Sequence, residues 1–98
     1  MQEFEFHVPT SAQLKNADGL IESLCIKEGL HVGLKGSLAR FPGSIHWHFK
    51  KPGERGTLEI TSSPHDRRIW AQVQSGRRAD WIEPCLKTIK AKLEKALR

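Results

Sequence analysis

The chain has 98 residues, 38% of them hydrophobic and 28% charged, with a formal net charge of +5. That is the size of one domain, residues 1–98, with one continuous core, and no apolar run approaches the ~20 residues that a membrane span needs. Cys25 and Cys85 are too few for a disulfide framework and share no metal-type spacing, so both are expected as small buried hydrophobes on helices.

The charge is uneven. Residues 1–49 carry four Lys/Arg against five Asp/Glu, whereas residues 50–98 carry twelve against six. A basic second half points to an anionic partner, although lysines on a solvated helix account for part of it. Met1-Gln2-Glu3-Phe4-Glu5 has neither a basic region nor an apolar signal core, so a cytoplasmic location and no membrane partner are expected.

Phe4, Phe6 and Val8 alternate with Glu3, Glu5 and His7, a period-2 strand that Pro9 ends because proline cannot donate to a ladder. Thr10-Ser11-Ala12-Gln13 reads as a capping box that opens a helix, with Leu14, Ala17, Ile21, Leu24 and Cys25 at helical spacing. Gly19 weakens its middle, so a late start near Asp18 is the alternative, and Gly29 is placed to end it. Leu30, Val32 and Leu34 alternate with His31, Gly33 and Lys35 in a second strand, which Gly33 and Gly36 make irregular and open to a bulge. Leu38 and Phe41 are expected as further core contacts, and Pro42-Gly43 marks a turn.

Ile45, Trp47 and Phe49 alternate with His46 and His48 in the clearest strand of the chain. A polar turn follows, with Pro52-Gly53 at its centre, and then Leu58 and Ile60 alternate with Thr57, Glu59 and Thr61. After a turn at 62–66, Ile69, Ala71 and Val73 alternate with Trp70, Gln72 and Gln74. Asp80-Trp81-Ile82-Glu83 is a second capping box, and Ile82, Cys85, Leu86, Ile89, Leu93, Ala96 and Leu97 form the apolar stripe of a second helix. The order β-α-β-β-β-β-α predicts an α+β two-layer sandwich: a mainly antiparallel sheet with two helices on one face. The apolar positions of every strand, Val32 and Leu34 among them, then face the helices. The other face carries His46, His48, Thr57, Glu59, Thr61, Trp70, Gln72 and Gln74 and is expected to be open.

This order of elements is similar to one repeat of the TATA-binding-protein-like and related helix-grip architectures, a likeness of element order alone. The combination His46-Trp47-His48, Gly56-Thr57-Leu58-Glu59-Ile60-Thr61, Trp70, Gly76-Arg77-Arg78 and Asp80-Trp81-Ile82 resembles small uncharacterised bacterial single-domain proteins over about residues 36–97. That resemblance implies no activity and carries no functional residues.

Three constellations bear on function. His46 and His48 share a strand face with side chains ~7 Å apart, and Glu59 lies on the neighbouring strand and the same face. The group reads first as a hydrated face of cross-strand His–Glu or His–Thr pairs, and two imidazoles with a carboxylate are, as the alternative, a zinc-type donor set. Trp70 falls by parity on the polar face, where an exposed indole would stack on a base or sugar; its alternative is to pack on the stem of Arg68. Basic residues frame the sheet: Lys50, Lys51 and Arg55 with Arg77 and Arg78 at one end, Arg67 and Arg68 at the other.

No P-loop, dinucleotide-binding glycine pattern or nucleophile elbow is present, so no catalytic residue, cofactor or resident metal is assigned. The leading expectation is a non-enzymatic binding module whose open sheet face takes nucleic acid or another anionic ligand. Its site comprises Trp70, His46, His48, Glu59, Gln72, Arg67, Arg68, Arg77, Arg78, Lys50 and Lys51. The alternatives are a protein-interaction or homodimerising module that uses this face or an unpaired edge strand, and a metal site at His46 and His48.

Overall fold

A computed structural model describes residues 1–98. The elements are β1 (Gln2–Glu5), α1 (Ala17–Lys27), β2 (His31–Gly36), β3 (Ile45–Lys50), β4 (Leu58–Ser63), β5 (Arg68–Val73), a short 3-10 turn at Ser75–Arg77, and α2 (Ile82–Ala96). Strands β2 to β5 form a meander, and β1 joins it beside β5, giving the order β1-β5-β4-β3-β2 with every pair antiparallel. The α+β class and the element order are those expected.

Both helices lie on one face. Ile21 and Cys25 of α1 and Ile82, Leu86, Ile89 and Leu93 of α2 close a core of 19 buried residues over Trp47, Phe49, Leu58, Ile60, Ile69 and Ala71. Both cysteines are free; Cys25 is fully buried and Cys85 half-buried, and burial pushes the Cys25 thiol up to about 12. Trp47 is 0% exposed, and its indole N–H donates to Glu22 Oε2 at 3.0 Å. A buried indole needs such a partner, because an unpaired donor costs about 1–3 kcal/mol.

Neither capping box forms. Helix α1 begins only at Ala17, and its N-cap Asn16 makes no side-chain cap bond. The carbonyls upstream have another use. Those of Pro9, Thr10 and Ala12 accept from one Arg67 nitrogen at 2.8, 3.3 and 3.1 Å, which holds the segment in turns. The N-cap of α2 is Trp81 rather than Asp80, again without a side-chain cap bond, and its indole N–H donates to the Arg55 carbonyl at 2.6 Å. Long-range bonds thus override both local patterns.

Strand β2 departs from simple alternation. Its register with β3 shifts between Val32 and Leu34, a bulge centred on Gly33. The extra residue inverts the phase of everything after it. Val32 stays opposite Phe49 on the helix side, but Leu34 lies opposite His48 on the polar face and is 50% exposed. Lys35 takes the helix-side position opposite Trp47 instead and, still exposed, pairs with Glu22. The placement of Leu34 against the helices is therefore corrected.

The polar face is not the open platform expected. All six residues of β4 are buried, on both faces of the sheet. Residues 37–44 form a strap, closed by the Leu38 N–H donating to Ser44 Oγ and the Ser44 N–H to the Phe41 carbonyl. Phe41 is outside the core cluster and packs edge-on against Trp70 at 5.0 Å, so Leu38 and Phe41 roof the polar face instead of joining the core.

Gly56 fixes where the next segment lies. Its φ of +100° is left-handed, and a Cβ there would sit 2.7 Å from Ala79 Cβ. This close approach lets the Thr57 N–H donate to the Arg77 carbonyl at 3.0 Å, which anchors the 3-10 turn beside β4.

Candidate metal centre

The register lays out the polar face in rows. Glu5, Trp70, Thr61, His46 and Gly36 lie side by side from β1 to β2, and Glu3, Gln72, Glu59, His48 and Leu34 form the next row. Antiparallel pairing therefore brings His48 beside Glu59 and places His46 diagonally across from it.

Glu59 is the centre of this group and only 4% exposed. Its Oε1 accepts from Gln72 Nε2 at 2.9 Å and lies 3.2 Å from His46 Nε2 and 3.7 Å from His48 Nε2. Its Oε2 lies 3.6 Å from Arg77 Nη1, the one guanidinium that bridges it. A carboxylate this buried is costly unless paired, and Arg77 with the Gln72 amide and two imidazoles meets that requirement.

The imidazoles are oriented from behind. His46 Nδ1 is 2.7 Å from Thr61 Oγ1, and the two histidine rings meet edge to face with centroids 5.1 Å apart. The neutral His46 ring has two self-consistent states. With the hydrogen on Nε2, it donates to Glu59 while the Thr61 hydroxyl donates to Nδ1. With the hydrogen on Nδ1, it donates to Thr61 and the Nε2 lone pair is free as a ligand. Burial pushes His48 below the ordinary imidazole value of 6.5, with His46, Arg77 and Lys50 adding to the shift and Glu59 opposing it. His48 is thus neutral at pH 7, the form that can donate a lone pair.

One ligand atom from each of His46, His48 and Glu59 lies within 4.8 Å of the other two. Zinc-ligand bonds of roughly 2.0–2.2 Å at tetrahedral angles place neighbouring ligand atoms about 3.4 Å apart. The His46–Glu59 and His48–Glu59 distances of 3.2 and 3.7 Å bracket that edge length. Three protein donors leave a fourth position for water or an exogenous ligand. Beside the group lies a shallow, open depression lined by His48, Glu59, Gln74, Gly76 and Arg77.

Of the residues singled out from the sequence, the fold brings His46, His48, Glu59, Gln72 and Arg77 together. The others are elsewhere. Trp70 is 5% exposed, covered by Phe41 and by the Arg68 guanidinium 4.1 Å from its ring centroid, so the exposed stacking surface expected of it is absent. Arg68 is held there by ion pairs with Glu5 and Glu3, and Arg67 is occupied with the carbonyls of residues 9, 10 and 12. Lys50 and Lys51 are exposed at the end of β3, and Arg78 lines a separate cleft between β1 and α2. Thr61, Gln74 and Gly76 complete the site and were not singled out. Alternation placed Thr61 and Gln74 on the correct face, but only the register reveals that Thr61 faces His46.

Compared with protein-family models, with curated proteins and with solved structures, the chain matches none. No helix is long and apolar enough to cross a membrane.

Proposed function

We propose that this chain is a metal-binding domain, holding a divalent transition ion of the zinc class through His46, His48 and Glu59. The observation that carries this reading is the closeness of the three donors, with two of their separations already near a tetrahedral edge. Two further features support it. Thr61 stands behind His46 as the partner that a ligating imidazole needs for its other nitrogen. His48 is held in its neutral form. Imidazole and carboxylate ligands suit zinc and its neighbours in the first transition row better than magnesium or calcium, which favour oxygen alone.

Imidazole NMR during a Zn²⁺ titration tests the reading. The His46 and His48 signals shift in step with one equivalent of metal, while those of His7, His31 and His65 stay in place. The E59Q variant loses most of that response. His46 and His48 signals that ignore Zn²⁺ would remove the proposal.

A further inference from the structure

On the metal reading above, the fourth coordination position faces Arg77. Arg77 stands on the 3-10 turn at the mouth of the site, with its side chain 48% exposed. Its Nη1 lies 3.4 Å from His48 Nδ1 and 3.6 Å from Glu59 Oε2. A guanidinium only donates, so the contact with His48 makes Nδ1 the acceptor and puts the ring hydrogen on Nε2. Metal binding through Nε2 requires the opposite tautomer, with the hydrogen on Nδ1. Two N–H groups would then point at each other, and Arg77 has to swing away. The same event commits Glu59 Oε1 to the cation, and Arg77 keeps only Oε2 of a carboxylate whose charge the metal now shares.

The loaded site therefore carries a doubly charged ion, one compensating carboxylate and a guanidinium released from His48. No acidic side chain except Glu59 lines the depression, and Gln74 adds an amide. Lys50, Lys51, Arg55 and Arg78 are exposed on the turns at the same end of the sheet. An electrophilic metal position beside a planar fork of N–H donors matches the oxygens of a phosphate or carboxylate.

We propose that the metal-loaded site binds a small oxyanion, with one oxygen on the metal and others on Arg77. A free anion fits better than a nucleic-acid strand, because Arg67 and Arg68 at the far end are engaged within the fold and Trp70 is covered. Binding of metal and anion is then mutually reinforcing: each releases or recruits Arg77 in the sense that favours the other.

Co²⁺ is the probe, because its visible absorption reports the ligands around it. Wild type and R77Q are titrated with Co²⁺ in a non-coordinating buffer, and the loaded proteins are then titrated with inorganic phosphate or with a short oligothymidylate. Both proteins are expected to develop the Co²⁺ spectrum, R77Q at no higher metal concentration than wild type. Phosphate shifts the wild-type spectrum saturably, and R77Q needs about ten- to a hundredfold more of it, the value of hydrogen bonds from a charged group. Loaded spectra that ignore phosphate, or respond equally in R77Q, overturn this inference while the metal reading stands. A response to oligothymidylate without one to phosphate overturns the small-anion assignment. Failure of the wild type to develop a Co²⁺ spectrum overturns the metal reading and the inference with it, whereas a wild-type spectrum that R77Q reaches only at higher Co²⁺ overturns the release of Arg77 and leaves the metal reading standing.

Discussion

Replacing Thr61 by valine removes one hydroxyl and almost no volume. Thr61 is 1% exposed and His46 8%, so no water substitutes for the lost partner of His46 Nδ1. A buried polar group left unpaired costs about 1–3 kcal/mol, offset by a few tenths because valine suits a strand. In a domain of this size each kcal/mol moves the melting temperature by about 4–8 °C, so T61V is expected to melt roughly 5–20 °C lower. The same hydroxyl fixes the ring orientation that a metal would use, and loss of such a supporting contact typically weakens binding about 10–100-fold. Thermal unfolding by circular dichroism and a competitive Zn²⁺ titration read the two effects separately. A melting temperature within 2 °C of wild type, roughly a quarter to half a kcal/mol, would show that Thr61 does not satisfy His46. A lower melting temperature with unchanged Zn²⁺ affinity would leave Thr61 a purely structural partner.

Glu22 links core and surface through Trp47 and Lys35. E22A is expected to lose about 1–3 kcal/mol in urea unfolding, because the Trp47 indole N–H is left unpaired, while K35A loses under about 1 kcal/mol from an exposed pair. Equal losses in the two variants would refute this division. Lys35, and then Trp47, hold the Glu22 carboxyl below its ordinary 4.5. A depressed carboxyl stabilises the fold above its unfolded value and loses that contribution as the pH falls, so the gap between wild type and E22A should narrow below pH 4.5, the protonated carboxyl still accepting from Trp47. G56A forces a Cβ into a left-handed residue 2.7 Å from Ala79 Cβ and is expected to cost about 2–4 kcal/mol from strain and overpacking. G19A in α1, with nothing within 4 Å, is its control and should be stabilising by about 0.5–1 kcal/mol in the same urea titration.

The strands and their faces were readable because period-2 alternation is a local property, and Ile45–Phe49 and Ile69–Val73 keep it without interruption. Parity alone put His46, His48, Glu59, Thr61, Trp70 and Gln72 on one face. The face's true state was not readable, for reasons that lie in long-range contacts. Phe41 is a lone aromatic in a loop with no period to follow, and only the folded strap shows that it covers Trp70. Arg67 looked like a free surface cation until three carbonyls some 55–58 residues away took its guanidinium. The same contact removed the helix start predicted at Thr10. Gly33 marks a bulge candidate in the sequence, but the phase slip it imposes on Leu34 and Lys35 depends on which side of the glycine the pairing resumes.

The phase slip at Gly33 also bears on how the sheet ends. Strand β2 is an outer strand, and a flat, regularly alternating outer strand invites another chain to extend the sheet. Here the hydrogen-bonding rhythm breaks in mid-strand, so an incoming strand would have to carry a matching irregularity to stay paired along its length. The opposite border, β1, is four residues long and bears Glu3 and Glu5, two carboxylates that share the single guanidinium of Arg68 and so keep the edge charged. Both borders are therefore poor templates for sheet extension.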